Sequence, residues 1–189
     1  ANASGASNIR IKGDVKDNVG NEVTGAVVEI KNIRTEEKTF AVTDSSTGKW
    51  MTAVTLKQRD DILITVKKEE QGFLSKVVSV KDLTFEAHAK EIKMVVQEAL
   101  PGKTFVINNI FYATNSAELT KESKVVLKSF AAYLKENPTI KIEIHGHTDN
   151  VGNPKANEAL STNRAFSVKS SLEELGINGD RINAKGFGS

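Results

Sequence analysis

The chain has 189 residues, of which 39% are hydrophobic and 26% charged, a composition typical of a soluble globular protein with room for one large or two ordinary domains. Its 26 Lys and Arg residues nearly balance its 24 Asp and Glu residues, and the formal charge of +2 gives no strong electrostatic argument for nucleic acid, which is not expected as a partner. The absence of cysteine excludes disulfides, thiolate nucleophiles and cysteine-ligated metal sites.

The first half of the chain, from Ile9 to Gln97, alternates apolar and polar residues in short runs, which is typical of β-strands. The clearest runs are AVVEIKN at 26–32, TFAVTD at 39–44 and DILITVK at 61–67. Asp17–Gly20 and Thr47-Gly48 provide turn residues between such runs, and no apolar stripe of helical period interrupts them. The pattern predicts an all-β sandwich of the prealbumin or immunoglobulin type over residues 9–97.

The tract QEALPGK at 97–103 contains the adjacent Pro101-Gly102 and is the best candidate for a domain boundary. Beyond it the pattern changes to strand, helix, strand, helix, strand. The first predicted strand is Thr104–Tyr112, and the helix after it has Leu119, Val126, Phe130 and Leu134 on one face and ends at Asn137-Pro138. The second predicted strand contains the alternating residues Ile140, Ile142 and Ile144. A helix at Pro154–Leu175 and a strand at Arg181–Lys185 follow it. This order predicts a second, α/β domain of βαβαβ type with a mixed sheet over residues 103–189.

The densest cluster of polar residues and glycines lies between the second strand and the second helix of this domain, at 145–164. Asp149 follows the strand, where ligands usually bind in α/β sheets, and Arg164 lies on the helix. A carboxylate and a guanidinium held apart would receive a zwitterion, with Asp149 taking its ammonium and Arg164 its carboxylate. The two side chains could instead neutralise each other in a structural ion pair, and spacing alone favours that simpler alternative.

The segment GHTDNVGNPKANEALSTNRAFSVKSSLEELGI, from Gly146 to Ile177, resembles the signature of the OmpA-like C-terminal domain, a peptidoglycan-binding module of Gram-negative cell envelopes. IFYATNSAEL at 110–119 and RINAKGFG at 181–188 extend the resemblance, which covers the chain from about Lys103 onward. The resemblance implies noncatalytic binding of the peptidoglycan stem peptide, in which Asp149 holds the ammonium and Arg164 the carboxylate of diaminopimelate. It implies no cofactor and no metal ion.

By the same resemblance, the remaining ligand contacts come from the two loops and from the second helix. They are expected from Asn157, Thr148, Leu160, Tyr112, Ala113, Thr114 and Asn115. Ala113 departs from the family pattern, because many relatives have an aspartate at this position. The family pattern also continues past GFG into a further helix and a strand with paired arginines, so residues 103–189 are expected to be a C-terminally truncated form of the domain.

IKGDVKDNVGNEVTGAVVEIKN at 11–32 and VTDSSTGKWMTAV at 42–54 resemble the carboxypeptidase regulatory-like domain, a small prealbumin-type sandwich. Envelope lipoproteins of the Bacteroidetes join these two modules, and one of them tethers the type IX secretion machinery to peptidoglycan. The resemblance implies a periplasmic protein, tethered to the outer membrane in its full-length form, that anchors an outer-membrane or periplasmic complex to the cell wall. The alternative is an envelope adaptor, part of a secretion machine, whose sandwich binds another protein while the wall contact is secondary.

Two catalytic or metal-dependent alternatives use residues of the same polar cluster. His145, His147 and Asp149 alternate along the strand and could bind a divalent metal ion, but Asn150 stands where a further ligand would be expected. Ser161 could act as a nucleophile, but no nucleophile elbow surrounds it. The sequence therefore favours a site that binds without catalysis.

Aromatic residues offer a third alternative, a sugar-binding platform at Trp50 and Phe73. Core packing is the commoner fate of single aromatic residues in the strands of a sandwich. The same expectation of core packing applies to Phe130 and Phe166 on the helices.

Overall fold

A computed structural model describes residues 5–68, 73–83, 91–96, 102, 106–107 and 109–189 of the chain. The chain forms two compact units, Ala1–Asn108 and Asn109–Ser189, which we call the N-terminal unit and the C-terminal unit. The predicted boundary at 97–103 lies outside the described residues, apart from Gly102. Within the described part of the chain, no helix is both long and apolar enough to cross a membrane.

The described residues of the N-terminal unit form β-strands and one helical turn. Its elements are β1 (Ala6–Asp17), β2 (Val27–Asn32), β3 (Lys38–Val42), β4 (Lys49–Lys57), β5 (Asp61–Lys67), β6 (Leu74–Ser79), α1 (Val80–Leu83) and β7 (Glu91–Val96). One sheet has the order β4-β1-β7, with β1 antiparallel to β4 and parallel to β7. The other is antiparallel with the order β3-β2-β5-β6. The predicted runs AVVEIKN, TFAVTD and DILITVK fall on β2, β3 and β5, which confirms that they are strands.

Both sheets contribute to one apolar cluster, since Ile11 and Val54 on one sheet and Val28 and Ile64 on the other are all buried in it. Trp50 belongs to this cluster and is only 3% exposed. Phe73 is buried as well. The expectation of core packing is therefore confirmed for both aromatic residues, and neither can present a ring to a sugar. The prealbumin-type classification of this unit stays a prediction.

Two buried carboxylates of the N-terminal unit are held by cations and amides of the same unit. Asp60 accepts hydrogen bonds from Arg34 Nε at 2.6 Å and from Asn32 Nδ2 at 2.9 Å. The bond from Arg34 is the main cause that lowers the pKa of Asp60 from 3.8 to about 2. Glu29 lies 3.2 Å from Lys38 Nζ and 3.5 Å from Lys67 Nζ. Each of these carboxylates is thus neutralised where it is buried.

The C-terminal unit contains α2 (Lys121–Glu136), β8 (Ile142–Gly146), α3 (Pro154–Glu174), a 3₁₀ turn (Gly179–Arg181) and β9 (Ile182–Gly186). β8 and β9 pair in parallel, as expected for strands joined by a helix. Thr120 caps the start of α2, and Asn153 caps the start of α3 just before Pro154. The structure confirms the two predicted helices and the two predicted strands that follow them.

The predicted strand at Thr104–Tyr112 is wrong for the residues that the structure describes. Residues 106–107 and 109–111 carry no strand, and Tyr112 forms only an isolated bridge with Leu119. Asn109 has φ = 66°, in the left-handed region, which ends an extended run. The backbone of Phe111 bonds to the Ser123 side chain instead of a neighbouring strand.

The prediction that the helical aromatic residues are buried is correct for one of the two. Phe130 on α2 is 2% exposed and stacks with Tyr133. Phe166 on α3 is 50% exposed, so the prediction is wrong for this residue. The helix buries the face formed by Ala165, Val168 and Leu172, and position 166 points away from it.

Candidate functional site

Helix α3 lies unusually close to the ends of β8 and β9, where both strands have glycine. A methyl group on Gly146 would overlap the carbonyl oxygen of Ser161, and one on Gly186 would overlap the backbone nitrogen of Thr162. Only glycine allows this approach of strand backbone to helix backbone. The close contact fixes the end of β8, from which the next loop starts, against the middle of α3.

The loop between β8 and α3 carries Asp149, and its backbone is held from two sides. The Asn157 side chain, which is 8% exposed, donates through Nδ2 to the carbonyl oxygens of Asp149 and Val151, both at 3.2 Å. The Asp149 carboxylate accepts a bond from the Val151 N–H at 3.3 Å and is itself exposed. Asp149 is therefore presented to solvent on a loop whose conformation Asn157 maintains.

Arg164 projects from α3 and is oriented by three contacts with the loop that precedes α2. Its Nε donates to the carbonyl oxygen of Ser116 at 3.1 Å, and its Cζ lies 4.9 Å from the centroid of the Tyr112 ring. The Tyr112 hydroxyl donates to the carbonyl oxygen of Arg164 at 3.2 Å. Burial raises the pKa of Tyr112, and the nearby guanidinium opposes that rise. No hydrogen bond within the described part of the chain uses the two Nη groups of Arg164.

The loop that contacts Arg164 is closed by its own backbone. The Ala113 N–H donates to Glu118 O at 2.9 Å, and the Ser116 N–H donates to Ala113 O at 3.1 Å. Asn115 occupies the tip with φ = 51°, a conformation that asparagine tolerates better than most residues. The carbonyl that receives Arg164 therefore belongs to a well-defined turn.

Asp149 and Arg164 do not form an ion pair with each other in the described structure, in which such pairs involve other residues. The simpler alternative from the sequence, a structural salt bridge between them, is therefore wrong. Each side chain is instead positioned by neutral backbone groups, and this leaves both charges without a counter-charge from the other.

The other candidate residues differ in how closely they approach this pair. Tyr112 contacts Arg164 directly, and Asn157 holds the Asp149 loop. Thr148 precedes Asp149, and its Oγ1 is buried without a hydrogen-bond partner. Ala113, Thr114 and Asn115 form the exposed turn beside Ser116, and Leu160 is half-buried on α3. The structure gives no direct contact from these last four to Asp149 or Arg164 among the described interactions.

The described residues support neither the metal site nor the serine nucleophile that the sequence left as alternatives. His145 Nε2 lies 2.5 Å from Glu143 Oε1, and His147 stacks on Phe187 with ring centroids 5.5 Å apart. Among the described residues, no group of three His, Cys, Asp or Glu side chains could hold a metal ion. The Ser161 hydroxyl bonds to the backbone of Glu158 and Gly188, and no histidine among the described residues pairs with it.

Three residues that hold the site together were not predicted as site residues from the sequence. Ser116 acts through its carbonyl oxygen, which side-chain patterns do not report. Gly188 bonds to Thr148 and to Ser161, and Ser161 was considered only as a nucleophile. The signal that could have revealed them is the pair of glycines, Gly146 and Gly186, since glycine at a strand end often marks a close backbone approach.

Fold and site together define an α/β module that presents two separately held, opposite charges beyond the carboxyl end of a strand. Residues 111–189 match the OmpA family, so the C-terminal unit is an OmpA-like domain. The outer membrane protein Omp38 of Acinetobacter baumannii is 39% identical over 79 residues, which are 41% of this chain and 22% of that protein. The peptidoglycan-associated lipoprotein of Haemophilus influenzae is 31% identical over 81 residues, 43% of this chain and 53% of that protein.

Among solved structures, the peptidoglycan-associated lipoprotein from Burkholderia pseudomallei is 30% identical, with a TM-score of 0.41. The match covers 42% of this chain and 68% of that one. The chain thus spans about a fifth of the outer membrane protein Omp38 and about half of the Haemophilus lipoprotein. These two relatives are named as an outer membrane protein and a peptidoglycan-associated lipoprotein, which is consistent with the expected location in the cell envelope.

Proposed function

We propose that the C-terminal unit binds the stem peptide of peptidoglycan noncovalently through its diaminopimelate residue, and thereby anchors an outer-membrane or periplasmic complex to the cell wall. The observation that carries the proposal is the separation of Asp149 from Arg164 within an OmpA-like domain. Two opposite charges that do not pair with each other can each pair with the complementary charge of one ligand. Diaminopimelate has such a pair, an ammonium and a carboxylate on one carbon, at its side-chain end.

The contacts that hold the Arg164 guanidinium support its proposed role in carboxylate binding. Its Nε and its planar face are already engaged by Ser116 and Tyr112, so rotation of the group is restricted before ligand binding. The Nη groups can then donate two parallel hydrogen bonds to a carboxylate. A pre-oriented side chain loses less conformational entropy on binding than a free one.

The carboxylate of Asp149 supplies the complementary half of the site. It accepts one bond from the Val151 N–H, which leaves further lone pairs for an ammonium group. An ammonium placed there would form a charge-assisted hydrogen bond, which is stronger than a neutral one. A lysine-type stem peptide, which has the ammonium but lacks the carboxylate, would engage Asp149 alone and should bind more weakly.

Co-sedimentation of the full chain with peptidoglycan sacculi of the diaminopimelate type tests this function. We compare the wild-type chain with the double variant Asp149→Asn, Arg164→Gln, which removes both charges and nearly keeps the shapes. Loss of either charge should weaken binding by about 2 kcal/mol, which is roughly a thirtyfold change in affinity. This value is at the lower end of the range for charged contacts because Asp149 is exposed. The double variant should therefore remain in the supernatant.

The matched control is Lys141→Gln, Asp180→Asn, which removes one positive and one negative charge at exposed positions of the same unit. This control should pellet with sacculi like the wild-type chain. If the Asp149, Arg164 double variant pellets equally well, the site assignment is wrong. Titration calorimetry with free diaminopimelate then gives the affinity of the pair for its own ligand.

A second candidate function, an adaptor that binds another envelope protein, is favoured by one feature of the N-terminal unit. In the part of the chain that the structure describes, β3 lies at the edge of its sheet, with Phe40 and Val42 55% and 61% exposed. A cavity of about 520 Å³ lies beside it, lined by residues of β3 and β4 that include Thr39 and Val54. An extended segment of a partner could pair with such an edge.

Photo-crosslinking in the native host tests the adaptor function directly. A photoreactive residue at position 40 should give one discrete protein adduct, and the same residue at Lys124, an exposed position of α2, should give none. Equal labelling from both positions would remove this candidate.

A further inference from the structure

Ser161 is a fully buried serine on α3 whose hydroxyl reaches a segment far along the chain. It donates to the carbonyl oxygen of Glu158 at 2.8 Å and accepts the N–H of Gly188 at 2.9 Å. The first bond stays within the helix, whereas the second ties the residues after β9 to α3. A buried N–H such as that of Gly188 is costly to leave without an acceptor.

The same segment then holds the loop that carries Asp149. The carbonyl oxygen of Gly188 accepts the N–H of Thr148 at 2.7 Å, and the Phe187 N–H donates to Gly146 O at 3.0 Å. The Phe187 ring also stacks on His147, with an interplanar angle of 18°. The residues at 186–188 are thus bonded to α3 on one side and to residues 146–148 on the other.

Arg164 follows Ser161 by three residues on the same helix, a rise of about 4.5 Å along its axis. The helix is rigid over that distance, so the position of Ser161 determines the position of the Arg164 backbone. Through Gly188 and Thr148, the Ser161 hydroxyl also determines where the Asp149 loop begins. The Ser161 side chain thereby links the two charged residues through the backbone of α3 and two hydrogen bonds, one from Gly188 N–H to Ser161 Oγ and one from Thr148 N–H to Gly188 O.

We propose that Ser161 is a positioning residue that sets the separation between Asp149 and Arg164, and that this separation selects ligands by the distance between their ammonium and carboxylate groups. The inference rests on the proposed function, because the ligand is the one proposed for that site. It assigns Ser161 no contact with the ligand. We expect an α-amino acid group, with one carbon between its two charges, to bind better than a group with two carbons between them, because the ligand proposed for this site is of the first kind.

The test measures the dissociation constants of the full chain for two compounds by titration calorimetry. The first is diaminopimelate, and the second is an isomer in which both amines lie one carbon further from their carboxylates. The wild-type chain should prefer diaminopimelate. Ser161→Ala should bind diaminopimelate about tenfold more weakly, since one buried N–H loses its acceptor, and should lose most of the preference between the two compounds.

Thr162→Ala is the matched control. Thr162 is the next residue, and its Oγ1 also donates to the Glu158 carbonyl oxygen at 2.8 Å, but the structure gives it no bond to Gly188. This variant should keep both the affinity and the preference. A purely structural role of Ser161 would weaken both compounds in proportion, so the ratio of the two constants separates positioning from general destabilisation.

Phe187→Leu keeps the test decisive if Ser161→Ala does not fold. Phe187 is 45% exposed, and its loss releases the same segment from His147 without opening the core. This variant should also reduce the preference between the two compounds. If the wild-type chain binds neither compound, the proposed function fails; if it binds and the folded variants keep the wild-type ratio, only the positioning role of Ser161 is overturned.

Discussion

Two buried carboxylates of the N-terminal unit and the Asp149, Arg164 pair of the C-terminal unit are held in opposite ways. In the N-terminal unit, the buried carboxylates of Asp60 and Glu29 lie within hydrogen-bond distance of cationic groups of the same unit. In the C-terminal unit, Asp149 and Arg164 are each held by neutral backbone groups and do not meet. Both arrangements consist of ordinary acids and bases, so residue type does not distinguish them. A charged pair is structural when its members satisfy each other, and it is a candidate binding site when the fold uses other contacts to keep the members apart.

Among the substitutions considered, those of glycine should have the largest effect on the stability of each unit. Gly146→Val places side-chain atoms on the Ser161 carbonyl and should lower the free energy of unfolding of the C-terminal unit by about 3 kcal/mol or more, with loss of sacculus binding. Gly13 in the N-terminal unit is equally crowded, by the Ile92 carbonyl and the Trp50 ring. Gly13→Val should destabilise the N-terminal unit to a similar extent.

Thermal unfolding and co-sedimentation of both variants give the measurement. The Gly13→Val chain should still bind sacculi at temperatures where its C-terminal unit is folded. Binding that survives Gly146→Val unchanged would show that the approach of β8 to α3 does not determine the site.

Loss of Asp60 should have an intermediate effect, confined to stability. Asp60→Asn should lower the free energy of unfolding by about 1–2 kcal/mol, because Arg34 and the Lys57 N–H lose an anionic acceptor. The pKa of Asp60 is lowered in the folded chain, so its contribution is present above the ordinary value of 3.8 and disappears as the pH falls towards about 2.

Urea unfolding at pH 7 and at pH values between 4 and about 2 measures this contribution. The difference between the wild-type chain and Asp60→Asn should shrink as the pH falls through that range. A difference that stays constant down to pH 2 would contradict the role given to the Asp60 carboxylate. Sacculus binding at neutral pH should be unaffected by the substitution.

The smallest expected effect concerns the orientation of Arg164. Tyr112→Phe keeps the ring under the guanidinium but removes the bond from the hydroxyl to the Arg164 carbonyl. We expect a roughly threefold loss of affinity for diaminopimelate, the effect of one neutral hydrogen bond. Tyr133→Phe, at a buried tyrosine of α2, is the matched control and should leave the calorimetric affinity unchanged.

Much of the C-terminal unit could be predicted from its sequence because its helices have strong local signals. Apolar spacing and the flanking Asn137 and Gly176 located α2 and α3, and the alternation around Ile142 located β8. The strand predicted at Thr104–Tyr112 failed because alternation alone cannot report the left-handed conformation of Asn109. The burial predicted for Phe166 was wrong because its smaller neighbour Ala165 occupies the buried face of α3.

The candidate site was predictable only in part. The sequence identified Asp149 and Arg164 but could not decide whether they pair with each other, because that depends on where α3 lies relative to the loop. The position of α3 follows from contacts between residues far apart in the chain, such as Gly146 with Ser161 and Gly188 with Thr148. The carbonyl of Ser116, which orients Arg164, carries no side-chain signal at all.

We propose that Asp149 and Arg164 are coupled through a ligand, whereas Arg34 and Asp60 are coupled through direct contact. Double-mutant cycles with Asp149→Asn and Arg164→Gln, and with Arg34→Gln and Asp60→Asn, measure both couplings in urea unfolding with and without saturating diaminopimelate. We expect coupling for Arg34 and Asp60 under both conditions, and for Asp149 and Arg164 only when diaminopimelate is present. Coupling between Asp149 and Arg164 that is equally strong without ligand would contradict it.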